Sequence, residues 1–355
     1  MARIQLLQSA EAGALAPFDA VIDVRSPGEF ALDHVPGAIN LPVLSDAERT
    51  EVGTIYVQES RLRANRIGAA YVARNIARHL ETTLAEQPAT FAPLVYCWRG
   101  GQRSESMATI LSRVGWRTTL LTGGYRTYRR GVQTRLYDQP SPLRVVLIDG
   151  NTGSGKTEIL TRLAERGLQV LDLEALAGHR GSLFGGLAGQ PQPGQKMFES
   201  RLLQALDALD PARPVVVEAE SSKVGDRMIP PALWELMKVA PRIELVAPLA
   251  ERARYLVAAY ADIVADREAL EAALHRLPVH PSQRRLEGWR KLVNEGDFAT
   301  LAEALMELHY DPAYARGRRK DGREPLAQID LAALDDAAFA GAADRIAGLV
   351  RAMTD

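Results

Sequence analysis

Short apolar runs punctuate this chain, most of them closing in charge. Ala20-Val21-Ile22-Asp23-Val24-Arg25, Leu94-Val95-Tyr96, Arg144-Val145-Val146-Leu147-Ile148-Asp149, Leu168-Gln169-Val170-Leu171-Asp172-Leu173-Glu174, Pro214-Val215-Val216-Val217-Glu218 and Ile243-Glu244-Leu245-Val246-Ala247-Pro248 are of this kind. Runs without polar alternation suit parallel strands covered on both faces, whose C-terminal ends reach a site. Between them the apolar positions change to helical spacing, as at Met107, Ile110 and Leu111, or at Ile159, Leu160 and Leu163. The pattern predicts an α/β chain. From Leu249 onward it predicts mostly helix. Asp138-Gln139-Pro140-Ser141-Pro142 is a Pro-rich break. The expected organisation is a first domain over 1–137, a linker over 138–143, a second domain over 144–248, and a mostly helical region over 249–355 packed on the second domain.

Composition narrows the picture without deciding it. Apolar residues make up 46% and charged residues 25% of 355 positions, and the net charge is −1. These are values of a soluble globular protein, and they exclude a global basic field. A nucleic-acid partner would have to be held by local patches. No apolar run approaches the ~20 residues that span a bilayer, and the N-terminus lacks a signal-peptide core. A cytoplasmic protein is expected, with no membrane or DNA partner. A single cysteine, Cys97, excludes an internal disulfide framework and a cysteine-built zinc site.

That cysteine closes an apolar run and opens Cys97-Trp98-Arg99-Gly100-Gly101-Gln102-Arg103-Ser104. Two glycines allow a tight loop, and Ser104 is placed to cap the helix that follows. Backbone N–H groups and a helix N-terminus would then face the sulfur, with Arg99 and Arg103 adding positive charge. Such surroundings favour a thiolate nucleophile and cradle an oxyanion brought to it. A lone cysteine is otherwise a small core residue, but Gly, Gly and two Arg are poor core material.

Several stretches resemble the rhodanese family. They are Asp23-Val24-Arg25-Ser26-Pro27-Gly28-Glu29-Phe30, His34-Val35-Pro36-Gly37-Ala38-Ile39-Asn40-Leu41-Pro42, the Cys97 loop, and Leu121-Thr122-Gly123-Gly124-Tyr125. The resemblance covers roughly the first 135 residues. It implies a chalcogen carried on Cys97 as a persulfide or perselenide. Within the same stretch, His34 is expected to organise a loop by hydrogen bonding rather than to act in catalysis. One departure stands out. Five residues separate Cys97 from Arg103, one more than in many rhodaneses. This is the spacing with which cysteine phosphatases hold a phosphate, although Tyr96 stands where tyrosine phosphatases usually have His. A phosphatase is therefore an alternative for this domain, and the wider loop would equally admit a chalcogen-bearing phosphate.

Gly150-Asn151-Thr152-Gly153-Ser154-Gly155-Lys156-Thr157 matches the phosphate-binding P-loop at every fixed position, with a strand before and a helix after. Gly150, Gly153, Ser154 and Gly155 let backbone N–H groups wrap a phosphate. Lys156 supplies a point charge, and Thr157 is the expected Mg²⁺ ligand. The fold class is thus α/β, an N-terminal rhodanese-like parallel-sheet domain joined to a P-loop NTPase-like α/β domain with a helical C-terminal part. Glu218 and Glu220 end the third strand of that second domain, where an acid orders metal or water. One of the two is expected at the P-loop. His179 and Arg180, at the head of a Gly-rich loop through Gly186, and Lys223 are candidate substrate contacts. A plain structural turn is the alternative for that loop. Basic clusters are candidate RNA contacts, at Arg126, Arg129 and Arg130 among tyrosines, and at Arg316, Arg318 and Arg319 near the C-terminus. A solvated face is the alternative for each, and for the arginine-rich stretch Arg61 to Arg78.

The Cys97 loop, the P-loop, His179-Arg180-Gly181-Ser182 and Glu218-Ala219-Glu220-Ser221 together resemble the tRNA 2-selenouridine synthase family over nearly the whole chain. The resemblance implies a transferase acting on the wobble uridine in the anticodon loop of certain tRNAs. Geranyl diphosphate first alkylates the sulfur of 2-thiouridine, and selenophosphate then supplies selenium through Cys97, with Arg99 and Arg103 holding its phosphate. Two rivals remain at this level. One is an ATP-dependent tRNA sulfurtransferase, the other a chalcogen carrier regulated by nucleotide. No geranyl pocket is legible, because apolar residues are common throughout a helical region.

Overall fold

The computed structural model describes residues 4–180, 191–261, 264, 270, 274 and 282–353. Gly181 to Gly186, the Gly-rich loop beyond Arg180, lie outside the described residues. The chain divides into two compact units, residues 1–140 with 193–207, and residues 141–192 with 208–355.

The first unit is built on a parallel sheet of β1 (Gln5–Leu7), β2 (Ala20–Asp23), β3 (Ile39–Asn40), β4 (Pro93–Tyr96) and β5 (Thr119–Leu121), in the order β1-β5-β4-β2-β3. Central β4 is buried at all four positions, as its unbroken apolar pattern requires. Ile22, Val95, Met107 and Leu111 join the strands to the helix Gln102–Val114 in one apolar core. The helix Arg61–Glu81 buries Ala64, Gly68, Asn75 and Ile76, so Arg61, Arg63, Arg66, Arg74 and Arg78 all fall on its exposed face. The solvated-face reading therefore describes where these arginines lie.

One helix of this unit comes from far along the chain. The sequence pattern suggests a second domain unbroken from 144 to 248, yet Pro193–Asp207 packs within the first unit. Its helix Gln195–Asp207 is fastened there by polar contacts. Ser200 donates to Asp33 at 2.8 Å, and Arg135 pairs with Asp207 at 2.8 Å. Hydrophobic spacing along the helix shows that one face is buried, but not against which sheet.

The second unit carries β6 (Arg144–Gly150), β7 (Gln169–Leu171), β8 (Pro214–Glu218), a short hairpin of β9 (Lys223–Val224) and β10 (Arg227–Met228), β11 (Arg242–Val246) and β12 (Ala327–Asp330). Its main sheet is parallel in the order β12-β11-β6-β8-β7. The order changes direction around β6, which sets the crevice for a ligand beyond that strand's C-terminal end. Strand β12 is not apparent from the sequence pattern. It is four residues long and buries one aliphatic side chain, Ile329. Helices Lys156–Glu165 and Asp336–Ala352 cover the sheet through Ile159, Leu163, Phe339 and Ile346. Helices Leu249–Ala259, Gln283–Glu295 and Phe298–Leu305 form a second core around Trp289, Val293, Leu301 and Leu305. The expected helical C-terminal part is present, with β12 as its exception.

Candidate functional site

In the first unit, Cys97 follows the last residue of β4 and is buried. Its sulfur accepts the Gly101 N–H at 3.3 Å and the Ser104 hydroxyl at 3.1 Å. The helix begins at Gln102 with Gly101 at the N-cap, so Ser104 lies inside the first turn instead of capping it. Its hydroxyl turns back to the sulfur, because the Gly100-Gly101 turn brings the strand end over the start of the helix. Two donors and the positive helix end thus converge on one atom, an arrangement that favours negative charge there.

The neighbouring turn holds the loop in shape. Tyr125 N–H donates to the Cys97 carbonyl at 2.8 Å, and Arg126 N–H to the Trp98 carbonyl at 3.2 Å. Gly124 sits at φ +58°, and a Cβ there would lie 2.2 Å from the Cys97 oxygen. Only glycine allows that approach. Arg103 is oriented from another direction. Its guanidinium donates to Glu29 Oε2 at 2.8 Å, and the same carboxylate accepts the Ser26 N–H at 3.2 Å. Burial pushes the Glu29 carboxyl up, but hydrogen bonding and charge from Arg103, with help from Ser26 and Arg49, bring it below its ordinary value. Arg99 is exposed at the loop surface. His34 bonds the Phe30 carbonyl at 2.9 Å and stacks on the Phe30 ring, the loop-organising role expected of it.

Arg25 does not stand out in the sequence, though it is 1% exposed. It pairs with Asp23 at 2.6 Å, donates to the Asp33 carbonyl at 2.7 Å, and lies 4.1 Å from the Tyr125 ring centre. It therefore ties the ends of β2 and β4 to the turn below Cys97.

In the second unit, Thr152 to Thr157 line a cavity of about 330 Å³, with Gly150 outside its lining. Gly155 has φ +80°, and a Cβ there would lie 2.4 Å from the Phe339 ring. The loop is thus packed from below as well as turned at glycine. Lys156 donates to the Gly150 carbonyl at 3.0 Å and lies 5.5 Å from the Tyr314 ring centre. Burial disfavours its charge, but Tyr314, Glu220, Glu174 and Asp149 outweigh that, and its pKa is raised. Ser154 Oγ is buried without a partner among the described residues. Such an orphaned donor fits a loop shaped for an anion.

The two strand-end carboxylates separate into different tasks. Glu218, 2% exposed, ends β8 and accepts the Glu174 N–H at 2.7 Å. Glu220 lies two residues past the strand end. It is the carboxylate that meets Lys156, and it shares a hydrogen bond with Glu174. Burial raises both partners; Glu220 is pushed up to about 8, with Glu174 adding to the rise and Lys156 opposing it. Thr157 is exposed, with its hydroxyl 3.3 Å from Glu174. Among the described residues no group of three His, Cys, Asp or Glu forms a metal cage. Thr157 fits Mg²⁺ only in the manner of a P-loop, with phosphate oxygens and water completing the shell.

Arg180 lines the cavity, and its guanidinium is 4.9 Å from the Tyr260 ring centre. His179 is not among the residues that line the cavity; it packs against Gly225 in the turn of the β9–β10 hairpin. Lys223 is exposed on that hairpin.

Residues 5–130 match the profile of the rhodanese-like domain, and residues 143–289 match that of the tRNA 2-selenouridine synthase AAA domain. A protein named tRNA 2-selenouridine synthase from Cupriavidus pinatubonensis is 32% identical, over 89% of this chain and 93% of its own length. One of the same name from Bdellovibrio bacteriovorus is 34% identical, over 83% and 87%. The chain belongs to the tRNA 2-selenouridine synthase family. A relative from Nitrosomonas europaea is 36% identical over 236 residues, which cover 65% of this chain and 61% of that relative.

In this member of the synthase family the basic candidates divide by face. Arg126 and Arg130 are exposed, one helical turn apart. Arg129, between them, points inward and pairs with Glu199. Likewise Arg316 and Arg319 are exposed, while Arg318 donates to Asn151 of the P-loop at 2.9 Å and pairs with Glu244 at 3.2 Å. Arg129 and Arg318 hold the fold together, so only the exposed four are open to solvent. Sequence reading missed Glu174, Tyr314 and Arg252. Arg252 is 5% exposed, donates to the Thr152 carbonyl at 3.1 Å and pairs with Asp311 at 2.7 Å. No motif marks these three, since each reaches the P-loop from a distant helix or strand end.

Proposed function

We propose that this chain converts 2-thiouridine at the wobble position of tRNA to 2-selenouridine in two transfers, the first from geranyl diphosphate and the second from selenophosphate. The observation that carries the reading is the presence, in one synthase-family chain, of a two-donor thiol at a helix mouth and a P-loop bordered by a carboxylate pair. In the first transfer, the uridine sulfur attacks C1 of the geranyl group. The C–S bond forms, the C–O bond breaks, and diphosphate leaves into the P-loop amides and Lys156. The N3 proton passes to Glu220. Mg²⁺ at Thr157 would neutralise charge on the diphosphate oxygens.

In the second transfer, selenium of selenophosphate displaces the geranyl thiolate at C2. Removing the phosphoryl group is then the task of Cys97. A perselenide on Cys97, as the rhodanese resemblance implies, does not balance from selenophosphate, because thiolate attack at selenium would have to expel phosphorus as phosphite. Attack at phosphorus balances. The S–P bond forms, the Se–P bond breaks, selenouridine leaves, and water later hydrolyses the phosphocysteine. The five-residue spacing to Arg103 suits a phosphoryl group in the loop.

The test uses purified protein, 2-thiouridine tRNA, geranyl diphosphate and selenophosphate without ATP, with the wobble nucleoside weighed by mass spectrometry. A sulfur-to-selenium shift is expected. Modification that appears only when ATP is added would replace this reading with the ATP-dependent sulfurtransferase.

A further inference from the structure

Beside the phosphate cavity, a second pocket opens among the C-terminal helices. It is lined by Leu256, Val257, Tyr260, Phe298, Leu301 and Leu305, among other apolar side chains. No charged side chain lines it among the described residues. Two of its residues, Leu256 and Tyr260, also line the phosphate cavity. These two side chains stand at the boundary of both spaces. Leu256 Cδ1 is so close to the P-loop that a Cβ on Gly153 would lie 3.0 Å from it. Tyr260 presents its ring to the Arg180 guanidinium on one side, and its hydroxyl donates to the Arg180 carbonyl at 3.3 Å. Arg252, one turn before Leu256, bonds the Thr152 carbonyl, which fixes this helix against the P-loop.

A nucleotide held by the phosphate loop would bring a ribose and a base edge, which need polar partners. The adjoining pocket offers almost none. A hydrocarbon tail needs none, and it gains by leaving water. We propose that the phosphate cavity and the apolar pocket are one site for a short isoprenyl diphosphate, with the diphosphate on the P-loop and the tail passing Leu256 and Tyr260 to end among Val257, Phe298, Leu301 and Leu305. This rests on the geranyl-transfer reading above. The pocket holds about 60 Å³, room for roughly four water-sized spheres. That accommodates the end of a short tail and makes the pocket floor the determinant of chain length.

The experiment measures prenyl transfer by the full chain to 2-thiouridine tRNA from dimethylallyl, geranyl and farnesyl diphosphates. Val257→Trp narrows the pocket and should raise KM for geranyl diphosphate about tenfold or more, while KM for dimethylallyl diphosphate changes less than about twofold. Leu301→Ala deepens it and should raise the relative use of farnesyl diphosphate severalfold. Inorganic diphosphate, as a competitive inhibitor, should keep its inhibition constant in both variants, which reports an intact P-loop. If Val257→Trp disturbs that constant, the chain-length profile of Leu301→Ala decides. An unchanged profile across all three substrates overturns the pocket assignment. Failure of the unaltered protein to transfer any of the three groups overturns the geranyl-transfer reading instead.

Discussion

Cys97 and Glu220 place opposite demands on charge. The sulfur has two donors and a helix end, all favouring an anion. Replacing it with Ser should leave geranyl transfer intact and stop the reaction after selenium has entered. Mass spectrometry should then find a wobble nucleoside carrying both selenium and phosphate; finding unmodified 2-thiouridine would remove the assigned order of steps. Glu220 is instead crowded toward its neutral form, near pH 8. A carboxyl raised on folding binds its proton more tightly in the native state. The stability this contributes is full below its ordinary value of 4.5 and is lost as pH rises through about 8. Glu220→Gln should therefore match the unaltered protein in denaturant unfolding at pH 4 and exceed it by about 1–2 kcal/mol at pH 9, without divalent cations. Geranyl transfer should rise with pH up to about 8 in the unaltered protein, and the variant should lose both rate and that limb.

At the scale of elements, each loop is shaped by a second segment that reaches it through space. The turn Thr122 to Tyr125 lies under the thiol loop, and helix Asp311–Asp321 lies against the P-loop through Tyr314 and Arg318. Gly124→Ala should displace the Cys97 carbonyl and lower stability by about 1–3 kcal/mol, with the selenium step falling more than geranyl transfer. Arg318→Ala removes the bond to Asn151 and should raise KM for geranyl diphosphate severalfold while the selenium step on pre-geranylated tRNA is unchanged. Steady-state kinetics with each half-reaction separates the two outcomes.

Over the whole molecule, the net charge of −1 gives no general attraction for RNA. Affinity for tRNA should then come from exposed clusters and be strongly salt-dependent. The double variant Arg126→Ala, Arg130→Ala should flatten the plot of log affinity against log salt by about 0.7 for each phosphate that is no longer neutralised. The same test on Arg316 and Arg319 shows whether both clusters bind. An unchanged slope in both variants would place the tRNA elsewhere, with the exposed arginines of helix Arg61–Glu81 next in line.

What the sequence determined by itself was local. Buried parallel strands, the glycine-turned Cys97 loop and the P-loop are legible because each is specified by residues adjacent in the chain, where backbone sterics and apolar runs act. Tertiary structure decided everything that depends on which distant segment arrives. It directed Ser104 to the sulfur, brought Glu174 beside Glu220, turned Arg129 and Arg318 inward, and added β12 to the sheet. It also seated Gln195–Asp207 in the first unit. An arginine reads the same in sequence whether it faces water or a buried carboxylate. Only packing distinguishes the two, because the partner that neutralises it lies tens of residues away.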